Sequence, residues 1–150
     1  MVFSIALRIL GDRSDAEETA QDVFLELHNK LGELESDGHV LYWLRRVTVH
    51  RAIDELRRRE RRPEVAMDSN EMPEMAWNAG EGADPLLRER VQQLLGSLPP
   101  LPRSVLVLRY QEDMRPEEIA NLLKMPVATV KSHLQRTLRL LREKAARVLR

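Results

Sequence analysis

PEEIANLLKMPVATVKSHLQRTLRLLR, residues 116–142, is the stretch on which the reading of the fold turns. Pro116 suits the first position of a helix, where its missing N–H costs nothing, and Glu117 and Glu118 fall at the positive end of that helix's dipole. Ile119, Ala120, Leu122 and Leu123 supply its buried face, and Lys124, Met125 and Pro126 interrupt it. A second helix is predicted from near Thr129, with Val130, Leu134, Leu138, Leu141, Ala145 and Val148 turned inward at spacings of three and four. Two helices joined by a short turn, the second one basic on its outer side, make a helix-turn-helix. In such a unit the first two turns of the second helix reach base edges in the major groove. The outward residues there are Lys131, Ser132, Gln135 and Arg136, with Arg139 and Arg142 beyond. They offer donors for guanine and adenine edges and for phosphates. The competing reading is an amphipathic packing helix with a solvated basic face.

Upstream, Leu86, Leu87, Val91, Leu94, Leu95 and Leu98 predict a helix that Pro99, Pro100 and Pro102 stop, and a further helix follows from Arg103 to about Tyr110. Residues 63–85 hold Pro63, Pro73, Pro85, Gly80 and Gly82, with six acids, no base and no period. That composition predicts a linker, about 25–30 Å in root-mean-square span and about 75 Å when fully extended.

In residues 1–62 a helix is expected over Val2–Leu10, ended by Gly11. Ser14 with Glu17 reads as a capping box, after which Ala16, Ala20, Val23, Phe24, Leu27 and Leu31 repeat at helical spacing up to Gly32. The other side of that helix carries Asp15, Glu18, Asp22 and Glu26, an acidic stripe that is either solvated or a docking surface for a basic partner. A third helix, from about Val40 to Arg61, has Val40, Trp43, Leu44 and Val47 on one side while Val49, Ile53 and Leu56 drift to the other. A helix with such a pattern is covered from two directions or changes course. Its remaining stripe holds Trp43, Arg46, His50 and Arg57, with eight arginines and three acids between Arg45 and Arg62. Guanidinium groups beside an aromatic ring suit backbone contact and base stacking on single-stranded nucleic acid, although Trp43 equally suits a core position.

The formal charge is zero but segregated: residues 1–62 carry 11 basic and 12 acidic groups, residues 63–85 none and 6, residues 86–150 13 and 6. The expected class is all-α, two small helical domains over 1–62 and 86–150 joined by an acidic linker over 63–85. No apolar run exceeds the five residues Val40–Leu44, so no membrane insertion and no signal peptide are expected, and the chain reads as cytoplasmic. With no cysteine there is no disulfide, thiolate metal site or cysteine nucleophile. His28, His39, His50 and His133 are scattered, and no metal, cofactor or small-molecule substrate is expected. No acid, base and nucleophile stand in a recognisable arrangement, which argues against an enzyme.

These motifs resemble those of extracytoplasmic-function sigma factors of bacterial RNA polymerase. LPRSVLVLRY, RPEEIANLL and VATVKSHLQRTLRLLRE are similar to the family's fourth region; DAEETAQDVFLELHNKL at 15–31 resembles its polymerase-binding helix, and WLRRVTVHRAIDELRRRERR at 43–62 its promoter-melting helix. The resemblance covers nearly the whole chain and implies a transcription initiation factor whose partners are core RNA polymerase, promoter DNA and an anti-sigma factor. It implies that Asp15, Glu18, Asp22 and Glu26 meet the polymerase. Trp43, Arg45, Arg46, His50, Arg51, Arg57 and Arg58 would hold the downstream, minus-ten element, and Lys131, Ser132, Gln135, Arg136 and Arg139 would read the upstream, minus-35 element. The family usually has about one more helix ahead of the segment that starts here at Met1. His50 stands where many members have asparagine, Ala128 replaces a common glycine, and Lys124-Met125 replaces the usual leucine-glycine turn. TVKSHL also resembles the recognition helix of LuxR-type regulators, and a non-initiating protein that occupies polymerase or an anti-sigma partner is the third reading.

Overall fold

The computed structural model describes residues 1–61 and 84–148, which form seven α-helices and no strand. In chain order these are α1 (Val2–Leu10), α2 (Arg13–Lys30), α3 (Asp37–Glu60), α4 (Pro85–Gly96), α5 (Pro100–Leu106), α6 (Pro116–Leu123) and α7 (Val127–Val148). A short 3-10 turn, Leu31–Glu33, follows α2, and a π-helical turn, Val107–Gln111, follows α5. Of the predicted linker only Asp84 and Pro85 are described, as the cap and first residue of α4, with the Asp84 carboxylate accepting from the Leu86 N–H at 3.0 Å; its other residues lie outside the described ones.

Local chemistry explains where the helices begin and end. Gly11 ends α1 in the left-handed conformation, φ 71°, its N–H donating to Leu7 O at 2.8 Å. Side chains avoid that region, and a Cβ there would also meet Gln92 Nε2 at 3.4 Å. The next residue, extended Asp12, caps α2 by accepting from the Asp15 N–H at 2.9 Å. Ser14, the predicted cap, is therefore already inside the helix: the glycine stop leaves only two residues between α1 and α2, and the first side chain able to accept takes the role. Ser36 caps α3 in the same way through the His39 N–H, starting it ahead of the predicted Val40.

In the second half the three prolines open α5 rather than merely closing α4, since a proline in a first turn removes no intrahelical bond. The helix expected from Arg103 to Tyr110 thus runs earlier and finishes as the π-helical turn, where Glu112 N–H donates to Val107 O. Lys124 closes α6 at φ 54°, ψ 52°, a left-handed cap made without glycine. Pro126 O accepts from both the Thr129 and Val130 N–H groups, so α7 starts at Val127, ahead of the predicted Thr129.

Packing departs from the expectation of two separate small cores. Ile5, Ile9 and Val49 of the first half and Leu108, Ile119 and Leu122 of the second are fully buried in one shared cluster, with Ala52, Ile53, Leu56, Val105 and Val130. Each such side chain contributes roughly 1.5–3 kcal/mol relative to exposure, so a seam of this kind is comparable with a whole small domain's net stability. The helix α1 explains the fusion: six of its nine residues are buried, because α2 and α3 cover one side and α4, α5 and the π-turn touch another. The drifting pattern of α3 has the same origin. Trp43 and Leu44 pack with Val2, Ala20 and Val23, whereas Val49, Ile53 and Leu56 enter the shared cluster.

Two residues of the predicted α2 core are not in it. Phe24 is 52% exposed and Leu31 is more than half exposed, because the core contact of α2 runs through Ala16, Thr19, Ala20 and Val23, one narrow line of small side chains against α1.

Candidate nucleic-acid interface

The outer face of α7 is set by what its inner face packs on. Val130 is fully buried, Leu134 lies partly buried between two clusters, and Leu138 and Leu141 pack on Leu95, Leu98 and Leu106. Fixing those residues inward turns Lys131, Ser132, Gln135, Arg136 and Arg139 to solvent, and all five are exposed. Among the described residues no carboxylate lies within ion-pair distance of Lys131, Arg136 or Arg139. The result is a row of uncompensated cations with one hydroxyl, Ser132, and one amide, Gln135, able to meet phosphates and base edges. The first helix of the pair is held by its own cap: the Arg115 N–H and guanidinium both donate to Glu118 Oε1, at 3.3 and 2.9 Å. That guanidinium holds the exposed Glu118 carboxyl below the usual carboxylate range.

The basic run on α3 is dispersed by tertiary contacts. Trp43 is 6% exposed and belongs to the core, so its ring is not offered for stacking. Arg45 is partly buried and donates through Nε to Glu112 Oε1 of the second half at 3.1 Å. His50 Nε2 lies 3.3 Å from Leu122 O in α6. Arg51 turns to the acidic helix, 2.9 Å from Glu26 and 3.9 Å from Asp22. Arg58 is bound by Glu55 one turn back, which raises its pKa. Arg46 is half-buried, and Arg57 and Arg61 remain exposed.

The acidic stripe of α2 is correspondingly part-neutralised. Arg59 binds the Asp15 carboxylate and donates to Leu10 O, while Arg51 holds Glu26. Glu18 and Asp22 stay exposed, flanked by Phe24 and by Leu25, which is 67% exposed. The strip thus places two exposed apolar side chains beside two exposed carboxylates on one helix. Leu25 was missed because it lies off the periodic set, and Phe24 because its spacing fitted a core line. Arg103, also unnoticed in the sequence, is 7% exposed and donates to Ile9 O of α1 and to Gly96 O and Leu98 O. Among the described residues no group of histidine, aspartate and glutamate side chains is placed to hold a metal ion. Nor is any helix among them long and apolar enough to cross a membrane.

A helix-turn-helix with an open cationic face, joined to a second all-helical half, is the architecture of a DNA-binding transcription factor. Residues 1–62 match the family Sigma-70 region 2 and residues 88–141 match Sigma-70, region 4. The chain belongs to the sigma-70 family as an extracytoplasmic-function sigma factor, a class of transcription initiation factors. It is similar to the ECF RNA polymerase sigma factor SigW of Bacillus subtilis, 27% identical over 151 residues, covering 90% of this chain and 78% of that protein. It is also similar to the probable RNA polymerase sigma factor RfaY of Xanthomonas campestris, 33% identical over 144 residues. The match takes in 90% of this chain but only 35% of that longer relative. Among solved structures, the sigma factor RpoE of Bartonella quintana, crystallised with the anti-sigma factor NepR, superimposes with a TM-score of 0.76 at 19% identity. It covers 95% of this chain and 88% of that one, so both halves share the fold.

Proposed function

We propose that this chain binds core RNA polymerase in the cytoplasm and directs it to specific promoters, contributing binding energy rather than catalysis of its own. In this reading residues 1–62 make the main polymerase contact, with Glu18, Asp22 and Glu26 beside Phe24 and Leu25 meeting a basic and apolar surface. Residues 86–150 read the upstream element through Lys131, Ser132, Gln135, Arg136 and Arg139. Arg45, Arg46, His50, Arg51, Arg57 and Arg58 serve the downstream element, where unstacked bases are captured. An anti-sigma protein is the expected regulator, as for the solved relative that carries one.

The observation that carries the reading is the open row of Lys131, Ser132, Gln135, Arg136 and Arg139 on α7 in a chain that also has a sigma region 2. Adding the purified protein to core polymerase is expected to start transcription from a cognate promoter. Arg136→Ala is expected to weaken upstream-element binding by about 1–3 kcal/mol without changing polymerase affinity. Charge reversal at Asp22 and Glu26 does the opposite. If both changes act only on DNA binding, the LuxR-type regulator is correct; if polymerase binds without initiation, the chain is an interaction protein.

A further inference from the structure

Ala128 is the one exposed residue in the first turn of α7. Val130 is fully buried and Val127 and Thr129 are half-buried, while Pro126 O accepts from the N–H groups of Thr129 and Val130 and fixes the entry of the helix. Among the described residues Ala128 belongs to none of the three apolar clusters, so it has no part in holding α7 to the body. Lys131, Ser132 and Gln135 stand three, four and seven residues further on along the same face, all exposed. The Ala128 Cβ is therefore continuous with the row assigned to the upstream element, at the end of that row which a recognition helix leads into the major groove.

Chemistry separates Ala128 from the rest of the row. Lysine and arginine donate to guanine O6 and N7, glutamine pairs with adenine N6 and N7, and serine meets either, so each of these is a polar contact. Thymine alone presents an apolar group in the major groove, its C5 methyl. A small exposed aliphatic side chain meets that methyl without leaving a polar atom unpaired. The first turn of α7 also carries no acid, unlike that of α6 with Glu117 and Glu118, so no like charge there opposes the phosphate backbone.

We infer that the Ala128 methyl packs against the C5 methyl of one thymine in the upstream element, which makes Ala128 a specificity-determining residue of this chain. The inference rests on the sigma-factor reading, in which α7 occupies the major groove. Burying one methyl-sized group multiplies affinity about fourfold, so thymine at that base pair is favoured by this factor over the same base without its methyl. Glycine in place of Ala128 offers no such group, and the preference goes with it.

Deoxyuridine is thymidine without the C5 methyl and keeps its pairing, so it isolates the contact. An upstream element is selected from randomised duplexes by the full chain bound to core polymerase, and each thymine of either strand is then replaced singly by deoxyuridine. One replacement is expected to weaken binding of the parent about fourfold and to leave binding of Ala128→Gly unchanged. The ratio of affinities for the two duplexes is the readout, because any loss of helix stability caused by glycine acts on both alike. If no thymine is sensitive, or the sensitive one is equally so with Ala128→Gly, the inference is overturned. Arg136→Ala on the same duplexes tests the parent reading, and it is expected to weaken the thymine and deoxyuridine duplexes by one common factor. Loss with Arg136→Ala but no methyl effect overturns the Ala128 contact alone. No selected element, or no effect of Arg136→Ala, overturns the upstream reading, and the contact falls with it.

Discussion

Replacing Arg103 by methionine tests whether the two halves are held together by a buried cation that has no acidic partner in the contacts it makes. The guanidinium donates to Ile9 O, to Gly96 O at 3.0 Å and to Leu98 O at 2.7 Å, tying the end of α1 to the loop after α4. Burial lowers its pKa, with the nearby Arg59 charge acting in the same direction, so the site holds the cation against a desolvation cost. Removing three charge-assisted bonds costs about 1.5–3 kcal/mol each, or roughly 5–9 in all. Methionine recovers several kcal/mol of desolvation, and some carbonyls regain water on relaxation, leaving a net loss of about 2–4 kcal/mol. Arg103→Lys should fall between, since a single ammonium cannot serve three acceptors in the guanidinium's fork geometry. Urea unfolding reads this directly: with m of roughly 1–3 kcal/mol/M, the methionine variant's midpoint drops by about 1–2 M at unchanged m. A methionine variant within about 0.5 kcal/mol of the parent would show that the three carbonyls do not need this donor, and the account of the seam would be wrong.

Three further outcomes follow from the caps. Asp12→Ala should cost about 1 kcal/mol while Ser14→Ala stays within about 0.5, and the reverse order in thermal unfolding would restore Ser14 as the cap. Lys124→Gly should stabilise by about 0.5–1 kcal/mol, because the left-handed cap strains any residue with a Cβ; a lowered Tm would contradict that. The third concerns acid: since the Glu118 carboxyl titrates lower in the folded chain than in the unfolded one, its support of α6 is complete above the ordinary carboxylate range and fades as pH falls through the lower folded value. Protection of the amides at the start of α6, taken relative to their intrinsic exchange, should fall in that acid window in the parent and stay unchanged across it in Glu118→Gln.

The helices themselves were legible because their causes are local. Spacing of three and four, a proline at the first position of α6, and the glycine after α1 act within a few residues, and they place the helix-turn-helix and the outward set from Lys131 to Arg139 without any partner. The cap of α2 was misplaced by two residues, because a capping-box spacing cannot tell which of two neighbouring oxygens the chain entry leaves free.

Whether a face is core, contact or solvent depends on what arrives from elsewhere in the chain. Periodicity showed that α3 needed covering from two directions, but only the folded chain decides that α5 and α6 provide the second cover. The same applies to charge: Arg51 and Arg59 look like free cations in the run from Arg45 to Arg62, yet α2 brings Glu26 and Asp15 to them across 25 and 44 residues of sequence. Local spacing and capping specify seven helical faces and their order. Which faces meet is set by the packing of the whole chain, because pairing over such separations leaves no local signature.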